Sequence, residues 1–476
     1  MIPVPKTLEE AIQIIQQLVE KIAKIEAESA AREAALQARI AELEARLAKY
    51  EGKPPTDPNT PSGMTPPYLK PGKKKSKKPG RKHGHAGVRR EPPQNVNNHV
   101  HHALFNCPGC GAAVDRKSVT TRKRYTEDIP ARVEPEATEH TIERGWCSSC
   151  RKFVEAPVPE ALPRCSLGLR VVLLAAFMHY GLGVAVHKVV SWLAAVHGLK
   201  VSAGGLTQAF ARLGERLTPL YDAVWEEVKR SGVLWADETG WRVAGRTFWL
   251  WCFATKGAVL YVIDRSRASP VVLRVLGEVF HGVLISDFFG SYNAIVALAK
   301  QRCVVHLLRE LKKVDLNNRS AEWRSFRRQL KRLIRDAVNL GRDRGLYGDA
   351  GYDRRWKRMH GRLSDLYSAG YTDCDCRRLS KRLSKHRDEL FTFLEHDGVT
   401  ADNNFAERAI RPAVQMRKAY YGNRSQSGAA AQAIFMTLFR TLELRGVDPV
   451  IHLEQSLRHM IEHGDLPSLV PYRQAA

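Results

Sequence analysis

The chain has 476 residues, with 75 Lys and Arg against 50 Asp and Glu, a formal net charge of +25, and 44% hydrophobic residues. This length predicts two or more domains, and the hydrophobic content is that of a globular protein, not of a disordered or fibrous one. No stretch approaches about 18 consecutive apolar residues, so we expect neither a membrane span nor a signal peptide. The positive charge favours a polyanionic partner, because neutralising phosphates releases counterions. A ribosomal-type or merely soluble basic protein is the alternative, but this length and apolar content favour a nucleic-acid enzyme or regulator.

The N-terminal segment, residues 1–50, has an amphipathic pattern. An apolar stripe follows three–four spacing through Ile15, Leu18, Ile22, Ile25, Leu36, Ile40, Leu43, Leu47 and Tyr50. The spacing predicts a long helix of coiled-coil type, although Ser29 and Arg32 interrupt the stripe. We expect this helix to form a homo-oligomer, because no neighbouring helix in the sequence covers its apolar stripe.

Residues 51–98 lack periodicity and predict a disordered, basic linker. Within it, segment 71–90 contains nine Lys or Arg residues and no acidic residue. A linker of this composition is typical of an electrostatic tether on DNA phosphates. The PGRK sequence also resembles arms that enter A·T-rich minor grooves. In either case the expected contacts are Lys73, Lys74, Lys75 and Arg81.

Two CxxC pairs lie between residues 99 and 156, which we expect to form a small zinc-binding domain. The pairs are Cys107 with Cys110 and Cys147 with Cys150, among nine cysteines in all. This spacing is typical of a zinc ribbon with four thiolate ligands and a structural Zn²⁺ ion. With no secretory signal, the cysteine usage indicates a reducing, cytoplasmic compartment. We expect a DNA- or protein-contact module in preference to a redox switch.

Residues 160–230 have helical periodicity. Gly198 follows one predicted helix and Ser202 precedes the next as its N-cap, which is the arrangement of a helix-turn-helix. Plain packing of a helical hairpin remains the alternative, since the Gly-Gly pair that opens the second helix is unusual in that motif. The segment is therefore a candidate DNA-binding region.

Residues 231–306 change to strand periodicity. The runs GVLWAD, TFWLWCFAT and AVLYVID predict three adjacent antiparallel strands, and then SPVVLRVLGEVF predicts a helix and GVLISD a strand. SYNAIVALAK is predicted to be helical and QRCVVH to be the fifth strand. Further helices are predicted as an Arg- and Lys-rich insertion (307–396), a core helix (397–425) and a tail (426–476). This order predicts an α/β fold: a ribonuclease-H-like mixed sheet with a large helical insertion, plus the coiled coil and the zinc ribbon.

Two aspartates end apolar runs of this predicted sheet. Asp237 ends GVLWAD and Asp287 ends GVLISD. A carboxylate at the exit of a buried strand must be solvated, paired or metal-bound, and two such ends can lie side by side on divalent cations. Glu238 leaves the opposite face of its strand, so Asp237 is the expected ligand. Asp264 ends AVLYVID and competes for the role, but we expect it to pair with Arg265 or Arg267.

The third carboxylate is expected on a helix. In TADNNFAERAIRP, Thr400 or Asp402 can cap a helix that Pro412 must end or kink, which puts Glu407 in the middle of that helix. A surface salt bridge with Arg411, four residues later, is the alternative role of Glu407. Two strand-end aspartates earlier in the chain favour the metal-ligand role.

Three carboxylates that hold two Mg²⁺ or Mn²⁺ ions would activate a water or a 3′-hydroxyl and stabilise the departing oxygen of a phosphodiester. The sequence contains no phosphate-binding GxxxxGK[ST] loop and no GxSxG serine elbow, so other hydrolytic chemistries are disfavoured. Basic side chains near the site favour DNA contact, although a strand-end histidine is often structural and a basic run is often a solvated face. The candidate contacts are His306, Arg408, Arg411, Arg417, Lys418 and Arg424, with the YYGNRSQSG loop that follows.

The ordered motifs resemble those of transposases of the insertion-sequence-66 family. They are CPGCG at 107–111, CSSC at 147–150, WADETGWRV at 235–243, DRS at 264–266, ISDFFGSYN at 285–293, CVVHLLREL at 303–311, DNNFAERAIRP at 402–412 and LRGVDP at 444–449. By this resemblance the family's DDE triad maps to Asp237, Asp287 and Glu407, and its zinc domain to the four paired cysteines. DNNFAERAIRP is the most specific of these motifs.

The resemblance implies a bacterial, nucleoid-associated DNA transposase. Such an enzyme cuts at the terminal inverted repeats of an insertion sequence and joins the 3′-hydroxyls to target DNA, and accessory proteins of the element can assist it. A catalytically silent DNA-binding derivative and a structure-selective nuclease of the same fold are the alternatives. A zinc-ribbon transcription regulator would leave the strand-end carboxylates unexplained.

Overall fold

The computed structural model describes residues 7–51, 91, 93–129, 133–163 and 165–472. The chain divides into two structural units, Met1–Gly72 and Lys73–Ala476. The predicted linker contacts Lys73, Lys74, Lys75 and Arg81 lie outside the described residues. None of the described helices combines the length and the apolar character that a membrane span requires.

The first unit contains the long helix that the three–four spacing predicts, α1 (Leu8–Glu51). The apolar side chains described on it are 37% to 65% exposed at Ile15, Leu18, Ile22, Ile25, Leu36 and Ile40. The side chains of Leu43, Leu47 and Tyr50 lie outside the described set. Self-association through this stripe stays a prediction.

The cysteine-containing segment of the second unit has little regular structure. Strands β1 (Arg144–Cys147) and β2 (Lys152–Glu155) form an antiparallel hairpin in which Cys147 lies opposite Lys152. The first cysteine pair lies in a turn bounded by a bridge between Asn106 and Ala113. Nearly all of the residues described in this segment are exposed, and they form no apolar core of their own.

A helical region precedes the sheet. Its elements are α2 (Leu169–Ala176), which continues as a π-helical turn (Phe177–Gly181), α3 (Val186–His197) and α4 (Ala203–Lys229). Gly198 ends α3 in the left-handed conformation (φ 70°), and the Ser202 hydroxyl accepts a hydrogen bond from the Gly205 amide at 3.0 Å. Both local signals in the sequence are therefore confirmed.

Five strands, whose bounds are β3 (Val233–Val243), β4 (Arg246–Ala254), β5 (Val259–Asp264), β6 (Val279–Ser286) and β7 (Val296–Arg302), form one mixed sheet. Their order in the sheet is β5-β4-β3-β6-β7. Strands β3, β4 and β5 are antiparallel neighbours, as predicted, whereas β6 and β7 run parallel to β3. Helix α5 (Ser269–Leu276) connects the two sets.

The helix predicted in SYNAIVALAK is wrong. This segment forms a short 3₁₀ turn (Gly290–Asn293) and then the edge strand β7, which runs on into the residues assigned to the fifth strand. Val296 and Leu298 are exposed and Ala297 is half-buried, so burial alternates with the period of two of a strand. The apolar pattern of this short run fits either a helix or a strand. Pairing with β6 gives its backbone groups hydrogen-bond partners, so the run forms a strand.

Helices cover both faces of the sheet. On one face, α4 and α5 pack against apolar side chains such as Leu234 and Leu284. On the other face, α10 (Asn404–Tyr420) packs against β3 and β4 through Ala409, Ile410 and Ala413. Helices α11 (Gln426–Leu444) and α12 (Pro449–His463) contribute to the apolar core on the face covered by α4 and α5.

A bundle of four helices lies between β7 and α10 in the sequence and has a separate apolar core. Its helices are α6 (Val304–Asn317), α7 (Ala321–Arg342), α8 (Asp349–Ser368) and α9 (Cys374–Lys385). The core of this bundle contains Trp323, Phe326, Leu330 and Leu363. Segment QRCVVH is therefore divided, since β7 ends at Arg302 and α6 begins at Val304.

The loop after α10 docks on the β3–β4 hairpin. Asn423 exchanges backbone hydrogen bonds with Arg242 and Ala244 at 2.9 Å each, and its side-chain oxygen accepts from the Trp241 indole. Gly422 lies at φ +120°, and a Cβ there would collide with the carbonyl oxygen of Arg242. This position requires glycine both for its backbone conformation and for the close approach of the two segments.

We expect Gly422→Ala to lower the free energy of unfolding by roughly 2–5 kcal/mol, from left-handed strain and overpacking together. The matched control is Gly446→Ala, where φ is +71° but no atom lies within 4 Å of the added Cβ. Its expected cost is the strain alone, about 1–2 kcal/mol. Denaturant unfolding of both variants tests this, and equal destabilisation would contradict the docking of the loop.

Candidate active site

The two aspartates lie at the same level on neighbouring parallel strands. Strand β3 pairs with β6 so that Trp235 is opposite Ile285, and two residues further along each chain are Asp237 and Asp287. Asp237 is not at a strand end as predicted, because β3 continues to Val243 in its antiparallel pairing with β4. It lies where the parallel pairing stops, so the expected juxtaposition is retained.

Burial dominates the electrostatics of Asp237. Loss of solvation raises the pKa of its carboxyl group well above the usual value, and the neighbouring Glu238, Asp287 and Glu407 raise it further. The hydrogen bond that its Oδ1 accepts from the Glu238 amide at 2.9 Å acts in the opposite direction. Asp237 therefore interacts with three other carboxyl groups in a region of low dielectric.

Glu407 comes to this region from α10. The helix begins at Asn404, so Glu407 lies in its first turn and not in the middle as expected. Pro412 does not end the helix, which continues to Tyr420. Ala406, beside the glutamate, packs against Trp235 and Ile285, on the sheet face toward which alternation also directs Asp237 and Asp287.

The partner of Glu407 is Arg309 of α6, not Arg411. The guanidinium donates to both carboxylate oxygens, at 3.1 and 3.2 Å. His306 lies on the same side, and its Nδ1 is 3.8 Å from Glu407 Oε1. This Nδ1 atom has no hydrogen-bond partner in the described chain. Burial lowers the pKa of His306, so its imidazole is neutral at pH 7.

Cys303, His306 and Glu407 form a group whose ligand atoms all lie within 4.8 Å of one another. Burial raises the pKa of the Cys303 thiol to about 11, and its sulfur accepts a hydrogen bond from the Asn403 amide at 3.2 Å. This hydrogen bond makes the cysteine a structural link between the starts of α6 and α10. A hard cation would prefer the oxygen donors near this group to its sulfur.

Two buried residues that the sequence reasoning missed hold the acids in place. Asn403 donates from Nδ2 to the Ala236 carbonyl at 2.8 Å, which ties the start of α10 to β3 beside Asp237. Arg302 is fully buried and donates to the Asp287 carbonyl at 2.9 Å and to Glu389 at 2.6 Å. The sequence did contain a signal for Arg302, because a charged residue at the end of an apolar strand indicates a buried, paired side chain.

The other acids near the strands are paired. Glu238 accepts from Arg267 at 2.8 Å and from the Tyr292 hydroxyl at 2.6 Å, on the face opposite to Asp237. Burial, with Asp287 nearby, raises the pKa of Glu238 to about 7. Asp264 pairs with Arg274 at 2.7 Å, so its expected structural role holds but the predicted partner was wrong.

The predicted basic contacts fall into two groups. Arg408, Arg411, Lys418 and Arg424 are exposed along α10 and the loop after it. Arg417 instead donates to the Thr239 hydroxyl at 3.1 Å and to the Gly240 carbonyl, which anchors α10 on β3. Contact with phosphates stays a prediction for the exposed group.

Each predicted zinc-binding pair forms a tight turn. The Cys150 amide donates to Cys147 Sγ at 3.4 Å, and the Gly111 amide donates to the Cys107 carbonyl at 2.8 Å. Backbone hydrogen bonds to the sulfur lower the pKa of both Cys107 and Cys147. In the described residues, the groups of three or more ligand atoms within 4.8 Å include neither these four sulfurs nor the three carboxylates together.

The donors of the carboxylate site fit a hard divalent cation. Asp237, Asp287 and Glu407 offer only oxygen ligands, the class that Mg²⁺ and Mn²⁺ prefer. Loss of solvation is the main cause of the raised pKa of half-buried Asp237, and the charges of Glu238, Asp287 and Glu407 add to it. A cation bound there would offset the effect of these charges.

Asn403→Ala should cost about 1–3 kcal/mol in the free energy of unfolding, because it removes the buried hydrogen bond from Nδ2 to the Ala236 carbonyl. Asn404→Ala is the matched control, since Asn404 only bonds the adjacent Asp402 side chain at 2.7 Å. Its expected cost is about 1 kcal/mol or less. Chemical denaturation compares them, and equal costs would argue against a tie between α10 and β3.

Comparisons with known proteins identify the family of the chain. The family model described as Transposase IS66 family matches residues 165–431, more than half of the chain. Three similar proteins of Sinorhizobium fredii are described as uncharacterized: y4qI is 25% identical, y4jD 24% and y4hP 22%. The match covers 58% of this chain and 57% of y4qI, 78% of both this chain and y4jD, and 75% of this chain and 71% of y4hP. The chain belongs to the IS66 family of transposases.

Proposed function

We propose that the chain is an active DDE transposase in which Asp237, Asp287 and Glu407 bind the catalytic metal ions. The observation that carries this proposal is the in-register placement of Asp237 and Asp287 where the parallel pairing of β3 and β6 ends. Glu407 reaches the same sheet face from α10, and its charge adds to the field at Asp237. The family membership supports DNA transposition as the reaction.

The sheet order supports a ribonuclease-H-like core. Three antiparallel strands followed by two parallel strands, with the acids on β3 and after β6, agree with the strand order expected from the sequence. In this proposal the bundle α6–α9 is an insertion, and α10 is the core helix that supplies the third acid. The core would then comprise residues 231–306 and 397–425, with the insertion at 307–396.

The chemistry follows from the side chains around the acids. Two divalent cations bound there would activate a water or a 3′-hydroxyl and stabilise the leaving oxygen of a phosphodiester. Arg309 is placed to contact a phosphate oxygen once Glu407 engages a metal ion. Neutral His306, with a free Nδ1 3.8 Å from Glu407, can assist the leaving group. The exposed arginines of α10 can hold the DNA backbone beside the site.

The N-terminal parts of the chain would pair and position the DNA ends. We propose that α1 forms a homo-oligomeric coiled coil, since its apolar stripe is exposed in the described chain. The basic linker would grip phosphates, the cysteine pairs would bind one Zn²⁺, and helices of 160–230 would contact the terminal inverted repeats. Strand transfer requires two ends held together, which favours this arrangement over a free-standing nuclease.

We expect Asp237→Ala, Asp287→Ala and Glu407→Gln each to lower strand cleavage and joining by roughly a thousandfold. Each removes a metal ligand that contributes several kcal/mol to transition-state stabilisation, at about 1.4 kcal/mol per tenfold in rate. The assay uses purified protein, Mg²⁺ and DNA that carries the terminal repeats of the element.

Asp264→Asn provides the matched control, because this acid also ends a strand of the sheet but pairs with Arg274. It should keep its activity within severalfold of the parent. No cleavage by the parent would favour the silent DNA-binding alternative. Cleavage of branched DNA without joining would favour the nuclease.

The four paired cysteines are expected to hold one Zn²⁺ per chain, measured by elemental analysis of the purified protein. Cys147→Ser should lose most of this zinc, because three thiolates and a hydroxyl bind it far more weakly. Cys374→Ser, at an exposed cysteine outside the pairs, should retain it. Equal zinc content in the parent and the Cys147 variant would rule out this site.

A further inference from the structure

An open groove of about 580 Å³ lies between α7 and α8, in the bundle that follows β7. No residue of the candidate active site lines it. A smaller depression of about 330 Å³ on α7 shares Arg332 and Asp336 with it, so the two form a continuous surface. We call this surface the α7–α8 groove.

One wall of the groove is a basic stripe on α7. The opposite face of this helix is buried through Phe326 and Leu330, so the orientation of the stripe is fixed by the core of the bundle. The cations of this wall are Arg327, Arg328, Lys331, Arg332 and Arg335. From Arg328 to Arg335 the stripe extends about 10 Å, at about 1.5 Å per residue.

The second wall comes from α8 and carries Arg355, Arg358 and Arg362. Arg362 is held by Asp336 at 2.8 Å, and the Arg355 guanidinium stacks on the Tyr347 ring at 4.4 Å. These contacts orient two of the three guanidinium groups in advance. Cations from two separate helices therefore converge on one concave surface.

The charge of this surface is not compensated within the described chain. Asp336 and Asp365 are the acids that line the groove, and Asp336 is shared between Arg362 and Arg332. Among the described residues, Arg328, Lys331, Arg335 and Arg358 have no ion-pair partner, and all four are exposed. A helix whose charges serve only solubility would intersperse both signs, with partners three or four residues apart.

We propose that the α7–α8 groove binds the phosphate backbone of duplex DNA, as a second contact surface besides the candidate active site. The proposal rests on the proposed function, because it assigns DNA as the partner. Guanidinium groups match phosphate geometry, and a polar, charged concavity does not suit an apolar small ligand. Backbone contacts of this kind position DNA without reading its sequence.

The test measures affinity of the full chain for a 30-base-pair duplex of arbitrary sequence, in EDTA, across a salt series. The triple variant Arg328→Ala, Lys331→Ala and Arg335→Ala should reduce the slope of log affinity against log salt by roughly 2–3, at about 0.9 for each phosphate that the variant no longer neutralises. Alanine favours the helix, so α7 should stay folded. Circular dichroism checks this.

The matched control removes the same number of charges from the neighbouring helix α9, at the exposed residues Arg377, Lys381 and Lys385. Its slope should change by less than about 1, since these residues do not line the groove. The charge-retaining pair Arg328→Lys and Arg335→Lys should keep the parent slope. An unchanged slope in the α7 triple variant, or an equal reduction in the α9 control, would overturn the proposal.

Two further comparisons distinguish DNA from RNA as the ligand and the groove proposal from the catalytic proposal. An RNA duplex of the same length that binds more tightly than the DNA, and that depends on the α7 stripe, would overturn the choice of DNA. Binding in EDTA needs no metal ion, so a parent that binds through α7 but never cleaves would contradict only the catalytic proposal. Metal-dependent cleavage with no slope difference would contradict only the groove.

Discussion

The in-register parallel pairing of β3 with β6 is the constraint on which the candidate site depends. It brings Asp237 level with Asp287, so two carboxyl groups meet at a half-buried strand junction. Such an arrangement is unfavourable for folding alone, because burial and like charge both oppose ionisation. The rest of the domain offsets this cost. Helices cover both faces of the sheet, and the buried Arg302 holds the backbone of Asp287.

The glutamate depends on two attachments that lie outside its own helix. Asn403 ties the start of α10 to β3, and the Cys303 sulfur accepts from the same residue at the start of α6. The bundle between them therefore leaves and re-enters the core at nearly the same place. A bundle attached in this way can be long without moving Glu407. Arg302 adds a third attachment through its hydrogen bond to Glu389. Burial would raise the pKa of Glu389, but hydrogen bonding by His386 and the charge of Arg302 outweigh it and lower this pKa to about 2.

Local signals were sufficient for much of the fold. Ser202 and the apolar strand runs were readable because capping and periodicity act over a few residues. SYNAIVALAK was misread because a short apolar run fits a strand or a helix, and only pairing with β6 decides between them. The partner of Glu407 was missed for a similar reason. Arg411 is near in sequence, whereas Arg309 lies 98 residues away and meets the glutamate only after the bundle has folded.

The pairing of Arg309 with Glu407 also explains how the acid cluster is tolerated before a metal ion binds. One guanidinium cannot neutralise three carboxylates, and it engages Glu407, whose side chain is 25% exposed. Loss of solvation and the neighbouring acids raise the pKa of Asp237, so a proton on its carboxyl group is favoured. Metal ions would therefore compete with a proton at Asp237 and with Arg309 at Glu407. The guanidinium released by that exchange would remain beside the site, where the phosphodiester of the substrate supplies the next negative charge.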